Sequence, residues 1–279
     1  MLILHNEQLR VEITPETGAS IVSIATKVND QWTTLTRPTP TEALEQHNPS
    51  LMASFTMAPW CNRIQDAQFP FQGRLIKLQA STPEGYATHG DVRKRPWTVV
   101  EQSEQSAFLR LTTHNFPDFN YPFPFVAKVR YTVAENRFVT EFAISNQGFD
   151  PMPAGFGFHP YFKRSLTGQP GDEAWLQCQV QGVYPSMPSG PMQPIPPDHD
   201  FHQLTPLGTR VIDAVYGGWD GRATIRYPAS KVQLRYECSE VLRHLCLFTP
   251  VGKPFFAVEP LSHGLNGPNL LAAGQEHTG

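Results

Sequence analysis

The chain has 279 residues, a net charge of −3 and an isoelectric point near 6.4, a balance that lacks the basic surface a nucleic-acid or anionic-membrane partner needs. Charged residues make up only 17%, aromatic residues 11%, and prolines number 27. That excludes a disordered chain and describes a loop-rich globular protein able to bury roughly three quarters of its unfolded surface.

The first residues, Met1-Leu2-Ile3-Leu4-His5-Asn6-Glu7, carry no basic leader and no long apolar run. The expectation is a protein with neither signal peptide nor transmembrane helix, working in the cytoplasm. Leu9 to Ile13 alternates apolar and polar residues, as a half-buried strand does. Thr41 to Gln46 suggests a short turn of helix. The four cysteines, Cys61, Cys178, Cys238 and Cys246, show no C-x-x-C spacing and read as reduced, buried thiols. Phe108 to Leu111 repeats the period of two. Val129, Tyr131 and Val133, then Phe138, Thr140, Phe142 and Ile144, predict a hairpin turning at Glu135-Asn136. Tyr184 to Pro206 holds seven prolines, Pro185, Pro188, Pro191, Pro194, Pro196, Pro197 and Pro206. Such density forbids a central strand and predicts a surface loop. Ala223 to Tyr227 and Val232 to Tyr236 alternate again. Helical periodicity is scarce and no repeat or linker is visible. The fold class expected is all-β, an antiparallel β-sandwich formed by one domain over residues 1–279.

Two positions stand out chemically. His159 lies in Gly155-Phe-Gly-Phe-His-Pro-Tyr-Phe162, where glycines permit close backbone approach and proline stiffens the chain. A histidine held there can exchange protons near neutral pH, or can simply be a hydrogen-bonded core residue. Glu259 ends the apolar run Phe255 to Val258. Residues two apart in a strand share a face, so Phe255, Ala257 and Glu259 point together. Desolvation there would raise a carboxylate pKa toward that of a general base; the bland alternative is a strand-end glutamate in solvent. Asn62-Arg63 offers a planar donor set for oxygen-rich ligands, or a surface ion pair. His89-Gly90 reads as a turn with a histidine. Asp213 interrupts an apolar run, whereas Asp220 sits in the turn Trp219-Asp220-Gly221. Trp60, Trp97 and Trp219 could stack on a ring-shaped ligand or pack internally. There is no G-x-S-x-G elbow, P-loop or complete dinucleotide fingerprint. His199 and His202 have ligand-like spacing but no evident partners, so no metal is expected.

Taken in order, Asn62-Arg63-Ile64, His89-Gly90 with Trp97, Gly157 to Phe162, Asp213-x-x-Tyr216-x-x-Trp219-Asp220-Gly221 and Glu259-Pro-Leu-Ser-His263 resemble the aldose 1-epimerase (galactose mutarotase-like) family. The resemblance spans almost the whole chain. It implies a large antiparallel β-sandwich with a sugar-binding cleft on one sheet, and a cofactor-free isomerase that interconverts the α and β anomers of a free aldose. It also implies Glu259 as general base, His159 as general acid, and Asn62, Arg63, His89 and Asp213 as sugar ligands, with Asp220 the fallback for Asp213 and Trp219 beside it. The implied partner is a small sugar, not a nucleic acid or a membrane, and the implied assembly is a monomer or homodimer. The chain is shorter than the longer galactose mutarotases, so the resemblance does not identify the sugar.

Three other readings compete. The cations Arg93-Lys94-Arg95 could mark a hexose-6-phosphate mutarotase, although a solvated basic turn is the simpler explanation. A non-catalytic carbohydrate-binding protein would use the same ligands without turnover. A glycoside hydrolase would need Glu259 paired with Asp213 or Asp220 at a set separation.

Overall fold

The structure is a computed structural model that describes residues 1–275 and Thr278. It is almost entirely antiparallel β, in two compact units: residues 1–60 with 89–154, and residues 61–88 with 155–279.

The first unit carries two four-stranded sheets. Strands Leu2–His5, Leu9–Thr14, Ser20–Val28 and Gln31–Thr34 form one, in chain order. Its alternation works as the sequence predicts: Leu2 pairs with Ile13 and Leu4 with Val11, and all four are buried. Strands Thr98–Gln102, Ser106–Thr112, Phe125–Ala134 and Arg137–Asn146 form the other. The expected hairpin turns at Glu135-Asn136, with Ala134 paired to Arg137. Ala107, Leu109 and Leu111 face the core beside Phe125, Ala127, Val129, Tyr131 and Val133. The Tyr131 hydroxyl donates to the Ala19 carbonyl at 2.8 Å. Thr41–Glu45 is the expected helical turn.

The basic run Arg93-Lys94-Arg95 is not a patch. Arg95 is held by Asp91 at 2.6 Å and Asp118 at 2.8 Å and lies over Phe116 and Phe119. Arg93 is buried, donates to Ser50 at 2.9 Å and covers Phe55. Only Lys94 of the three is exposed. These charges fasten the unit to itself, which removes their support for a phosphate site.

The second unit carries two more sheets. In one, Gly182–Tyr184, Ile212–Gly217, His244–Thr249 and Phe255–Leu261 lie side by side, and both Gly157–Phe158 and Tyr161–Lys163 pair with Phe255–Leu261. The other orders Thr205–Pro206, Trp175–Cys178, Arg222–Tyr227 and Val232–Glu237. Leu176, Ile225 and Tyr227 from the second sheet meet Tyr216, Leu245, Leu247, Phe256 and Val258 from the first in one core. Each such side chain contributes about 1.5–3 kcal/mol on full burial. Because side chains alternate, Asp213, Cys246, Phe255, Ala257 and Glu259 are turned to the opposite face of the first sheet. The proline-rich segment is largely exposed from 185 to 200 and re-enters the core at Phe201. The helix Gly267–Ala272 was not legible: six residues are too few to show a helical period. Among the described residues no helix is long and apolar enough to cross a membrane.

His263 ties this unit together. Its Nδ1–H donates to the Gly264 carbonyl at 2.8 Å, and its Nε2 accepts from the Cys61 amide at 3.1 Å. Those two bonds fix a neutral imidazole, and burial lowers its pKa. The glycine at 155 has a steric reason: a Cβ there would lie 2.3 Å from His263 Cδ2. Since the folded form resists the proton that the unfolded form accepts, this contribution is complete above about 6.5 and is lost as pH falls below it. His263→Leu is expected to cost about 1–3 kcal/mol at neutral pH by stranding the Cys61 amide, while the Gly264 carbonyl keeps the Gly267 amide. The difference from the native protein should narrow in acid. Urea unfolding at two pH values checks both, and a cost that grows in acid would contradict the assignment.

Candidate active site

The strand Phe255–Leu261 organises the site. Gly157 pairs with Leu261 on one side of Pro160, and Tyr161 with Ala257 on the other. The register is the same on both sides. His159 therefore falls directly across from Glu259, in the gap where the ladder is interrupted next to a proline that has no N–H to give. The gap frees both side chains to meet: His159 Nε2 lies 3.2 Å from Glu259 Oε1. The imidazole stacks on Tyr161 at 4.5 Å between centroids, and Phe255 meets Tyr161 edge-on at 5.4 Å. The Ser262 amide donates to the Phe156 carbonyl and the Phe156 amide to Ser262 Oγ, both at 2.8 Å, which pins the approach to this crossing.

Both members of the pair are almost fully buried; Glu259 retains 1% exposure and His159 5%. Glu259 Oε2 has no hydrogen-bond partner among the described residues. Burial, reinforced by the negative charge of Asp213 and opposed by a hydrogen bond from Cys246 and by the charge of Arg63, holds the Glu259 carboxyl well above the usual carboxylate range. The ionised form of this carboxyl is correspondingly disfavoured.

Arg63 and Asp213 stand beside this pair. Arg63 Nη2 donates to Asp213 Oδ2 at 2.8 Å, with both side chains partly open to solvent. Burial acts to lower the Arg63 pKa, but the charge and hydrogen bond of Asp213 outweigh it and leave the pKa raised. The short strand Arg63–Ile64 is set by its pairing with Ala87–Thr88 and by the Asn266 amide, which donates to the Arg63 carbonyl. Asn62 is buried in a left-handed conformation, and its Oδ1 accepts from the Arg63 amide at 2.9 Å. It shapes the turn that presents Arg63.

The other candidates have their own local partners. Asp220 is exposed and accepts from the Arg222 amide within its own turn, so Asp213 is the aspartate that reaches the arginine. Trp219 is buried and its indole donates to the Arg222 carbonyl; Trp60 and Trp97 are buried too. The Trp219 indole is thus engaged internally, in line with the packing alternative the sequence left open. His89 belongs to the first unit, where it meets Phe55 edge-on in a left-handed conformation. The glycine after it is required, because a Cβ at Gly90 would lie 1.9 Å from the Ala58 carbonyl oxygen. His202 lies 2.7 Å from Asp200 and 2.8 Å from the Val180 carbonyl, within its own loop region.

Sequence reasoning missed several residues on this face. Cys246 is the cross-strand partner of Glu259, and Phe248 that of Ala257. Tyr161 is the wall behind His159. The shared face of Phe255, Ala257 and Glu259 was readable; which residues oppose them depends on register, which was not.

The aldose 1-epimerase family model matches residues 1–275. The uncharacterized protein YphB of Escherichia coli K12 is 27% identical over 223 residues, covering 75% of this chain and 72% of that protein. A galactose mutarotase-like protein from Clostridium acetobutylicum has a similar structure: TM-score 0.82, 16% identity, 96% of this chain and 86% of that one. A GalM/aldose epimerase homologue from C. elegans superposes with TM-score 0.78 at 16% identity, covering 96% of this chain and 90% of that one.

The raised Glu259 pKa has a consequence for stability. The folded protein keeps a proton that the unfolded chain releases above about 4.5, so stability falls as pH rises toward the folded value. Glu259→Gln removes this ionisation. The variant should unfold at higher urea than the native protein, by a margin that widens between about pH 5 and pH 8. A margin that shrinks with pH would show that the carboxyl is ionised in the fold.

Proposed function

The chain belongs to the aldose 1-epimerase family, and from that premise we propose that it interconverts the α and β anomers of an aldose by acid–base catalysed ring opening. The observation that carries this reading is the buried His159–Glu259 pair at 3.2 Å. The anomeric hydroxyl oxygen and the ring oxygen of a cyclic aldose are bonded to the same carbon. One reactant therefore presents a proton to be removed and an oxygen to be protonated side by side, and this pair presents a base and an acid at matching proximity.

In the reactive form the shared proton resides on His159 Nε2, leaving Glu259 as carboxylate. Glu259 takes the proton of the anomeric hydroxyl while His159 gives its proton to the ring oxygen. The C1–ring oxygen bond breaks and an aldehyde forms. Rotation about C1–C2 turns the other carbonyl face to the returning hydroxyl. On closure His159 recovers its proton from that hydroxyl as Glu259 delivers one to the carbonyl oxygen. Arg63, fixed by Asp213, lies close enough to act electrostatically on Glu259. Its cation favours the carboxylate form and the negative charge that develops on oxygen. His89, Asp213 and Asn62 remain candidate sugar ligands on the family resemblance, with Asn62 acting through the backbone of Arg63.

His159→Ala and Glu259→Gln are each expected to lower turnover by about 10²–10⁴-fold, the usual contribution of a positioned acid or base. Anomer exchange measured by NMR over a panel of aldoses is the test, with circular dichroism to verify folding. Near-native rates in either folded variant would remove the assignment, as would native protein that exchanges no aldose. Arg63→Lys, which keeps charge but loses the planar fork, should retain the fold and lose activity by tenfold or more.

A further inference from the structure

The face that carries His159 and Glu259 continues past them to a cation. Lys163 pairs with Phe255 in the register that sets Tyr161 against Ala257, so its side chain emerges on the face of Phe255, Ala257 and Glu259. The contacts along this face are continuous: Glu259 to His159, His159 to Tyr161, Tyr161 to Phe255. Four residues of strand separate Phe255 from Glu259, about 13 Å at the usual rise.

Lys163 is only half-exposed, and among the described residues its ammonium has neither an ion-pair nor a hydrogen-bond partner. The next residue is engaged elsewhere: Arg164 donates to the carbonyls of Lys253 at 3.1 Å and Gly208 at 3.0 Å. Burial lowers the pKa of both side chains. An ammonium half withdrawn from water, with no counter-charge among the described residues, is poorly matched to neutral hydroxyls and well matched to an anion. The backbone beneath it is fixed, since the Lys163 carbonyl accepts from the Tyr227 hydroxyl at 2.7 Å and the Arg164 amide donates to Pro254 at 2.9 Å.

We propose that Lys163 is a specificity residue that takes an anionic group, a carboxylate or a phosphate ester, on the sugar carbon farthest from the anomeric centre. This rests on the anomerase reading of the same site. It places the selection of a charged sugar on the site face, not on the internal cations Arg93 and Arg95.

The test compares native protein with Lys163→Met, which keeps the stem and removes the charge. Anomer exchange of glucose, glucuronate and glucose 6-phosphate gives KM and kcat for each. Calorimetry on the same sugars and on inorganic phosphate gives affinities that do not depend on turnover. In the native protein one of the two anionic sugars should bind tighter than glucose, and which one distinguishes carboxylate from phosphate. Lys163→Met should raise its KM and its dissociation constant at least tenfold more than it raises those of glucose. Equal changes for charged and neutral sugars, or none, would overturn the proposal. So would inorganic phosphate binding as tightly as the sugar phosphate, which would mean a surface anion site only. Should no sugar be anomerised, the reaction fails but the calorimetric comparison still decides the role of Lys163.

Discussion

A single strand register, carried unbroken across Pro160, places His159 opposite Glu259. Both halves of the segment pair with Phe255–Leu261 as one strand would, yet the two residues between them make no ladder. Regular pairing would fix the backbone and hold facing side chains apart; a loop would lose the alignment. The interruption keeps the alignment and frees the side chains, and the proline at 160 is the local cause. Tyr161 and Phe255 then take their places by alternation alone. His263, four residues beyond Glu259, fastens the same strand end to Cys61 and so to the turn that presents Arg63.

The electrostatics follow from this placement. A carboxyl sunk into the sheet face resists ionisation, and Asp213 adds to that resistance. Arg63 opposes both, and it is itself steadied by Asp213. The same aspartate thus disfavours the Glu259 carboxylate directly and favours it through the arginine. Such an arrangement makes the fold less stable wherever the acid is ionised. Stability and chemistry are coupled here through one ionisable group.

Much of this was legible in the amino-acid sequence, and what was not has a physical explanation. Alternation gave the half-buried strands because one face packs and the other meets water, as at Val129, Tyr131 and Val133. The same rule aligned Phe255, Ala257 and Glu259. The glycine at 155 and the histidine at 263 are one feature, the first being small because the second is close, but 108 residues of chain separate them. Charge patterns were the least transparent. Arg93 and Arg95 resemble a ligand site in the sequence and are internal fastenings in the fold, while Lys163 looks ordinary in the sequence and, among the described residues, stands without an ion-pair or hydrogen-bond partner on the site face. A charge takes its meaning from the partners that folding supplies. Asp213 and Asp220 differ in the same way, since one faces an arginine 150 positions away and the other only its own turn.

The second oxygen of Glu259 also bears on what the protein refuses. It is a buried acceptor with no donor among the described residues, so a ligand that brings a hydroxyl to it repairs a deficit, and one that brings an ether leaves that deficit sealed in. A site built around a hydroxyl can reject the analogue that lacks it by about 10⁴–10⁵. For an aldose the hydroxyl in question is the anomeric one, which every free sugar has and every glycoside has lost. On the proposed function, the sheet face would therefore screen out sugars whose anomeric oxygen is capped as an ether, with no loop required to exclude them.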